Sequence, residues 1–136
     1  MKKVIFKGCG TALATPFTKD GVNFEELRKL IEFQILEDVD SLIICGTTGE
    51  SSTMSLEEKK SVIEFSVKVT NGRVPVIAGT GGNNTREVIA LSKYAESVGV
   101  DGLLLVTPYY NKTTQVRINY PLYQNCRKCK SPNYFI

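Results

Sequence analysis

The amino-acid sequence predicts a parallel α/β fold, in which helices cover a sheet of buried strands. Short runs that are apolar along their whole length alternate with longer segments whose apolar residues recur at helical spacing. Short connections join these segments in the order βαβαβαβ. Uninterrupted apolar strands are typical of parallel sheets, because both faces of such a sheet are buried. From this pattern alone, half of a closed barrel and a small doubly wound sheet fit equally well.

Each expected helix begins at a residue that can accept a backbone hydrogen bond, with a glutamate three residues later. This is the capping-box pattern, and it occurs at Asn23/Glu26, Ser55/Glu58 and Asn84/Glu87. Apolar side chains at helical spacing predict the buried faces, which carry Leu27, Leu30, Ile31 and Ile35, then Val62, Ile63, Ser66 and Val69, then Val88, Leu91, Ala95 and Val98. The expected strands cover residues 4–15, 41–45, a run after Pro75, and 103–106.

The segment from Ser41 to Ser55 is where the sequence points to a binding site. The apolar run that ends at Cys45 is followed directly by Gly-Thr-Thr-Gly-Glu at residues 46–50. Ligands of parallel α/β proteins bind on loops at the carboxyl ends of strands. Glycines allow the backbone to approach a ligand, and the hydroxyl and N–H groups of Thr47 and Thr48 suit a small carboxylate or phosphate. The alternative is a plain βα turn, in which both threonines satisfy only local backbone groups.

Size and composition indicate one ordinary globular domain. The chain has 136 residues, of which 42% are hydrophobic and 23% charged. No apolar run has the length of a membrane span, and the apolar stretch after Met1-Lys2-Lys3 is too short for a signal peptide. We therefore expect a cytoplasmic protein without a membrane partner.

Charge and cysteine content argue against two further kinds of site. All 14 acidic residues and 13 of the 17 basic residues precede residue 116, so the net positive charge lies in residues 116–136. Four charges without a recognisable fold make nucleic-acid binding an unfavoured alternative. Cys126 and Cys129 form one C-x-x-C pair in a chain that lacks histidine, so a zinc site is not expected. We expect no metal and no cofactor.

Four stretches together resemble one known family. They are T-A-L-A-T-P-F near the start, the G-T-T-G-E loop, V-I-A-G-T-G-G-N, and L-L-V-T-P-Y-Y-N-K, in this order over residues 4 to about 115. This pattern is similar to that of the dihydrodipicolinate synthase family. Members are (β/α)8 TIM barrels roughly twice this length. The resemblance therefore implies a truncated TIM barrel made of about the first four βα units, with residues 1–115 as the half-barrel.

The resemblance also implies a reaction. In the family, a lysine amine forms a Schiff base with pyruvate, and the resulting enamine attacks aspartate semialdehyde, in the pathway to diaminopimelate and lysine. Thr47 and Thr48 match the residues that hold the pyruvate carboxylate, and Thr48 also belongs to the proton relay. Tyr110 matches the relay tyrosine that crosses a tight-dimer interface, so a homo-oligomer is expected.

Other family residues are missing or changed. The positions of the Schiff-base lysine, a second relay tyrosine and the semialdehyde-binding arginine lie beyond residue 136, so the chain as written is expected to be inactive. A candidate allosteric lysine site matches Ser51, Asn83, Glu87 and Tyr109. Two histidines of some lysine-sensitive members correspond here to Leu56 and Lys59, which argues against inhibition by lysine.

Residues 116–136 depart from the family pattern, and Pro121 lies where a helix is expected. Back-translation with a one-base shift can restore an amphipathic helix followed by an apolar strand, so we interpret this basic tail as frameshifted. A natural divergent terminus is the alternative. Two alternatives for function also stay open: a self-associating half-barrel without catalysis, and a fragment of an N-acetylneuraminate lyase-type aldolase. The second is disfavoured, because those enzymes tend to carry serine where Thr47 stands.

Overall fold

A computed structural model of the protein describes residues 4–106, residue 109 and, as backbone alone, residues 133–135. Three helices are present in this part of the chain: α1 (Phe24–Leu36), α2 (Leu56–Thr70) and α3 (Thr85–Ser97). The strands are β1 (Gly10–Ala12), β2 (Phe17–Thr18), β3 (Gly21–Val22), β4 (Ser41–Ile44), β5 (Val76–Gly79), β6 (Gly102–Leu105) and β7 (Asn133–Phe135).

Five of the strands form one parallel sheet in the order β1-β4-β5-β6-β7. The register places Ile43 opposite Ile77 and Gly79 opposite Leu104. The helices connect successive strands of this sheet, which confirms the predicted βαβ rhythm. The turn expected at residues 18–21 joins β2 and β3, which pair as a small antiparallel hairpin separate from the five-stranded sheet.

The hydrophobic core lies between the helices and one face of the sheet. Leu42, Ile44, Leu103 and Leu105 of the sheet pack there against helix residues, including those predicted from helical spacing. Side chains alternate between the two faces of a strand, so Ile43 and Leu104 point to the opposite face, where both are only half-buried. One face of the sheet is thus covered by helices, and the other is an apolar surface.

The predicted capping boxes form to different extents. At α2 the box is complete: the Glu58 N–H donates to the Ser55 hydroxyl at 3.2 Å, and the Ser55 N–H donates to the Glu58 carboxylate at 2.8 Å. At α1 the Asn23 side chain accepts from the Glu26 N–H at 3.1 Å, but the Glu26 carboxylate binds Lys29 instead. A nearby cation therefore takes the carboxylate that the box would use.

Two strands differ from the sequence-based expectation. The first strand was expected over residues 4–15 but pairs only at Gly10–Ala12. Gly8, at φ 113°, breaks the extended conformation before it, and Pro16, which has no N–H, follows it.

Strand β7 lies inside the segment interpreted as an aberrant tail, and it pairs parallel to β6. Residues 116–132, including the position of Pro121, lie outside the described part of the chain.

Candidate functional site

The Gly-Thr-Thr-Gly-Glu loop leaves the sheet at the carboxyl end of β4 and folds into consecutive tight turns. The Gly49 N–H donates to the Gly46 carbonyl at 3.1 Å, and the Glu50 N–H donates to the Thr47 carbonyl at 3.0 Å. Cys45 and Glu50, at either end of these turns, have left-handed backbones with φ of 56° and 54°. Non-glycine residues in this conformation are strained and concentrate at functional sites.

A cavity of about 140 Å³ opens at the carboxyl edge of the sheet, and we call it the mouth cavity. Its wall consists of Cys45, Gly46, Thr47, Ser51, Gly79, Gly81, Leu104 and Val106. Three adjacent strands, β4, β5 and β6, contribute their last residues or the residues that follow them. Pockets for drug-sized ligands are typically about 300–1,000 Å³, so this cavity suits a smaller molecule.

Gly79 is the point where β5 passes closest to the loop. A Cβ atom at this position would lie 2.3 Å from the Cys45 carbonyl oxygen and 3.0 Å from the Gly46 nitrogen. Only a residue without a side chain allows the two backbones to approach in this way. The shape of the mouth cavity therefore depends on this glycine.

The two predicted threonines lie side by side at the edge of the sheet, and both are exposed. Thr47 lines the mouth cavity, and Thr48 is the next residue of the turn. Within the described residues, neither hydroxyl and neither N–H group has a hydrogen-bond partner. In a plain βα turn, these hydroxyls would bond to local backbone groups. The structure instead leaves four donor groups available to a ligand at this edge.

Cys45 lines the mouth cavity but is not expected to act as a nucleophile at neutral pH. Its side chain is 2% exposed, and burial raises the pKa of its thiol to about 12. A protonated thiol is neither a good nucleophile nor a good metal ligand. In residues 4–106 and 109, no group of three His, Cys, Asp or Glu residues could hold a metal ion.

The residues of the candidate allosteric site are distributed over two neighbouring cavities. Asn83 and Glu87 line a second cavity of about 140 Å³ between α2 and α3, together with Leu56 and Lys59. Ser51 lines the mouth cavity instead, and Gly81 belongs to both walls. Tyr109 is exposed, and its N–H donates to the Asn83 side chain at 2.6 Å. Three of the four candidates therefore line two adjoining cavities, and Tyr109 is bonded to one of the three.

Tyr110, the expected relay residue at a dimer interface, lies outside the described residues. Of the helices that the structure describes, none has the length and apolar character needed to cross a bilayer.

Comparison with known proteins decides which family this site belongs to. The model of the dihydrodipicolinate synthetase family matches residues 5–127, which is most of the chain. The chain belongs to the dihydrodipicolinate synthetase family. Its fold is accordingly a partial TIM (β/α)8 barrel, as the resemblance implied, and the apolar face of the sheet is the one that faces the interior of such a barrel.

Relatives with assigned names agree with this placement. The 4-hydroxy-tetrahydrodipicolinate synthase of Clostridium perfringens is 67% identical over 111 residues, which are 82% of this chain and 38% of that protein. The enzyme of the same name from Acetivibrio thermocellus is 64% identical over 115 residues, 85% of this chain and 39% of that one. The chain thus spans a little over a third of the length of these relatives.

A solved member of the dihydrodipicolinate synthetase family superimposes closely. It is the chloride-inhibited dihydrodipicolinate synthase of Acinetobacter baumannii in complex with pyruvate, with a TM-score of 0.91 and 44% sequence identity. The match covers 97% of this chain and 45% of that one.

Sequence reasoning missed two features of this site. Cys45 was expected only as the last residue of an apolar strand, and its left-handed backbone has no sequence signal, because glycine or asparagine usually marks that conformation. Thr15 was treated as part of a strand, yet its hydroxyl reaches the loop from 34 residues away. Such a contact depends on how β1 and β4 pair, which local patterns do not encode.

Proposed function

We propose that this chain carries the pyruvate-binding part of a 4-hydroxy-tetrahydrodipicolinate synthase, a cytoplasmic lyase that condenses pyruvate with aspartate semialdehyde. The observation that supports this most is the pair of adjacent, exposed threonines that have no hydrogen-bond partner within the described residues, of which Thr47 lines the mouth cavity. Their hydroxyl and N–H groups can donate to both oxygens of a small carboxylate. The related synthase of Acinetobacter baumannii was solved in complex with pyruvate, which is such a carboxylate.

The proposed division of roles follows the chemistry of a Schiff base. Thr47 and Thr48 bind the carboxylate and thereby fix the keto carbon of pyruvate, while Thr48 and Tyr110 pass protons. A neutral lysine amine would attack that carbon, with loss of water, to form the imine. We place this lysine outside the 136 residues, since its family position follows residue 136. We propose that residues 1–136 contribute the carboxylate-binding part of this reaction and not its nucleophile.

Trapping with borohydride tests this proposal. Borohydride reduces a pyruvate imine to a stable amine, which adds to the protein the mass of one reduced pyruvate less the water lost in forming the imine. We expect no such adduct on the 136-residue chain after incubation with pyruvate and borohydride, and one adduct per chain on a full-length family member treated in parallel. Detection by mass spectrometry of a stoichiometric, pyruvate-dependent adduct on the short chain would show that it contains the nucleophile.

The candidate allosteric site stays part of the proposal, with lysine still expected to be a poor effector. Glu87 could bind the ammonium group of lysine, but its carboxylate already accepts from the Asn84 side chain at 2.6 Å. Lys59 adds a positive charge to the same cavity wall. The positive charge of Lys59 disfavours a cationic ligand in the same cavity, so we propose that lysine is a weak ligand here.

Self-association is a second candidate role, favoured by the apolar face of the sheet. Ile43 and Leu104 are half-buried on that face, and Val106 beside them is 39% exposed. Apolar sheet faces and open sheet edges tend to pair with another copy. We propose that the chain forms a homo-oligomer through this face.

Light scattering on a pair of matched variants tests the self-association proposal. The unaltered chain is expected to be a dimer or larger. Val106→Asp, which places a charge on the apolar face, should shift it towards monomer, whereas Leu36→Asp on the 79% exposed outer position of α1 should not. A monodisperse monomer for the unaltered chain would contradict the proposal.

A further inference from the structure

Thr15 connects the end of β1 to the loop that carries Thr47 and Thr48. Its side chain is 5% exposed, and its hydroxyl donates to the Gly49 carbonyl at 2.8 Å. This buried contact joins residues 34 positions apart in the sequence. Thr15 does not line the mouth cavity, so it is not placed to touch a ligand there.

The loop has little freedom to move as long as this contact is intact. Gly49 is buried, and a Cβ atom on it would lie 3.0 Å from the Leu13 carbonyl oxygen and 3.2 Å from the Thr15 hydroxyl. Leu13 is itself held to β4 through its N–H, which donates to the Ile43 carbonyl at 2.9 Å. The segment that carries Thr15 is therefore a fixed surface on which the loop lies.

The backbone hydrogen bonds within the loop are local. They join Gly49 to Gly46 and Glu50 to Thr47, so they set the shape of the turns but not their position on the sheet. The bond from Thr15 supplies that position, because its donor belongs to a neighbouring strand connection. Without it, a buried carbonyl would lose its donor, and the loop would move to recover a partner.

We propose that Thr15 is a positioning residue, whose hydroxyl holds the Thr47–Thr48 loop at the carboxyl edge of the sheet in the geometry that binds a carboxylate. The inference rests on the proposed function for the ligand, but the placement of the loop is a separate property. Thr15 acts through Gly49 and makes no contact with the substrate itself.

Three variants separate positioning from general stability. Thr15→Val keeps the shape and removes the hydroxyl, and Thr15→Ser restores it. Ser66→Ala is the matched control, because the Ser66 hydroxyl donates to the Val62 carbonyl at 2.7 Å, an equally buried bond inside α2. We expect Thr15→Val to weaken pyruvate binding by about fivefold or more, with Thr15→Ser and Ser66→Ala within about twofold of the unaltered chain. Thr15→Ala replaces the valine variant if the latter does not fold.

Amide hydrogen exchange provides a readout that does not need pyruvate. The Gly49 and Glu50 amides should exchange faster in Thr15→Val than in Ser66→Ala, at matched global stability. Unchanged exchange at these amides, or equal weakening of pyruvate binding by Ser66→Ala, would overturn the inference. An unaltered chain that does not bind pyruvate would refute the proposed function, and the exchange rates would still decide the role of Thr15.

Discussion

Gly79→Ala is expected to destabilise the fold by about 3 kcal/mol or more, the largest stability effect among the substitutions proposed. The added methyl group would lie 2.3 Å from the carbonyl oxygen of Cys45 and 2.7 Å from its carbonyl carbon. These are backbone atoms of the segment directly after β4, and β4 pairs with β5 along Leu42–Ile44. No side-chain rotation can relieve the overlap, so the two strand ends must separate.

Urea denaturation measures this effect, with Gly82→Ala as the matched control. A Cβ atom on Gly82 would lie 3.6 Å from a methyl group of Val88, which is ordinary contact, and the Gly82 backbone is not left-handed. The control should stay within about 0.5 kcal/mol of the unaltered chain. If Gly79→Ala unfolded at the same urea concentration as Gly82→Ala, the close approach of the loop to β5 would be wrong.

The helices were predictable because their signals are local. Ser55 and Glu58 mark the start of α2 within four residues, and the spacing of Val62, Ile63, Ser66 and Val69 identifies its buried face. Each signal depends only on the geometry of one helix turn. The apolar runs of β4, β5 and β6 were predictable for a similar reason, since strands of a parallel sheet are apolar on both faces.

How far each strand pairs with its neighbour was less predictable, because strand pairing depends on residues elsewhere in the chain. Strand β1 has only three paired residues, Gly10–Ala12, which lie opposite residues 41–43 of β4. Strand β7 has no apolar run comparable to those of the other strands, and its pairing with β6 is a tertiary contact. Local sequence patterns carry little information of either kind.

The sequence located the loop of the candidate site, but it did not predict which residues support that loop. The order of strand, glycine-bracketed threonines and helix located the loop, and the structure places that loop at the carboxyl edge of the sheet. The support beneath it comes from Thr15, Cys45 and Gly79, which lie on three different strand ends. Only the paired sheet brings these positions together.

The second large effect is expected for the Thr47→Val variant, which should bind pyruvate more weakly. Thr47 is exposed and lines the mouth cavity, so the substitution should leave the fold intact and remove one donor to the carboxylate. A hydrogen bond to a charged group contributes about 1.5–3 kcal/mol. The loss therefore corresponds to a dissociation constant that is larger by about tenfold or more. Thr47→Ser, which keeps the hydroxyl, should stay close to the unaltered chain.

The measurement that tests the account most directly is a titration of the isotope-labelled chain with pyruvate, followed by the backbone amide signals of residues 46–50. We expect saturable shifts at Thr47 and Thr48 in the unaltered chain, a much weaker response in Thr47→Val, and an unchanged response in Thr18→Val, a threonine of the β2–β3 hairpin. Equal responses in all three proteins, or saturable shifts confined to the cavity between α2 and α3, would contradict the assignment of this loop as the pyruvate site.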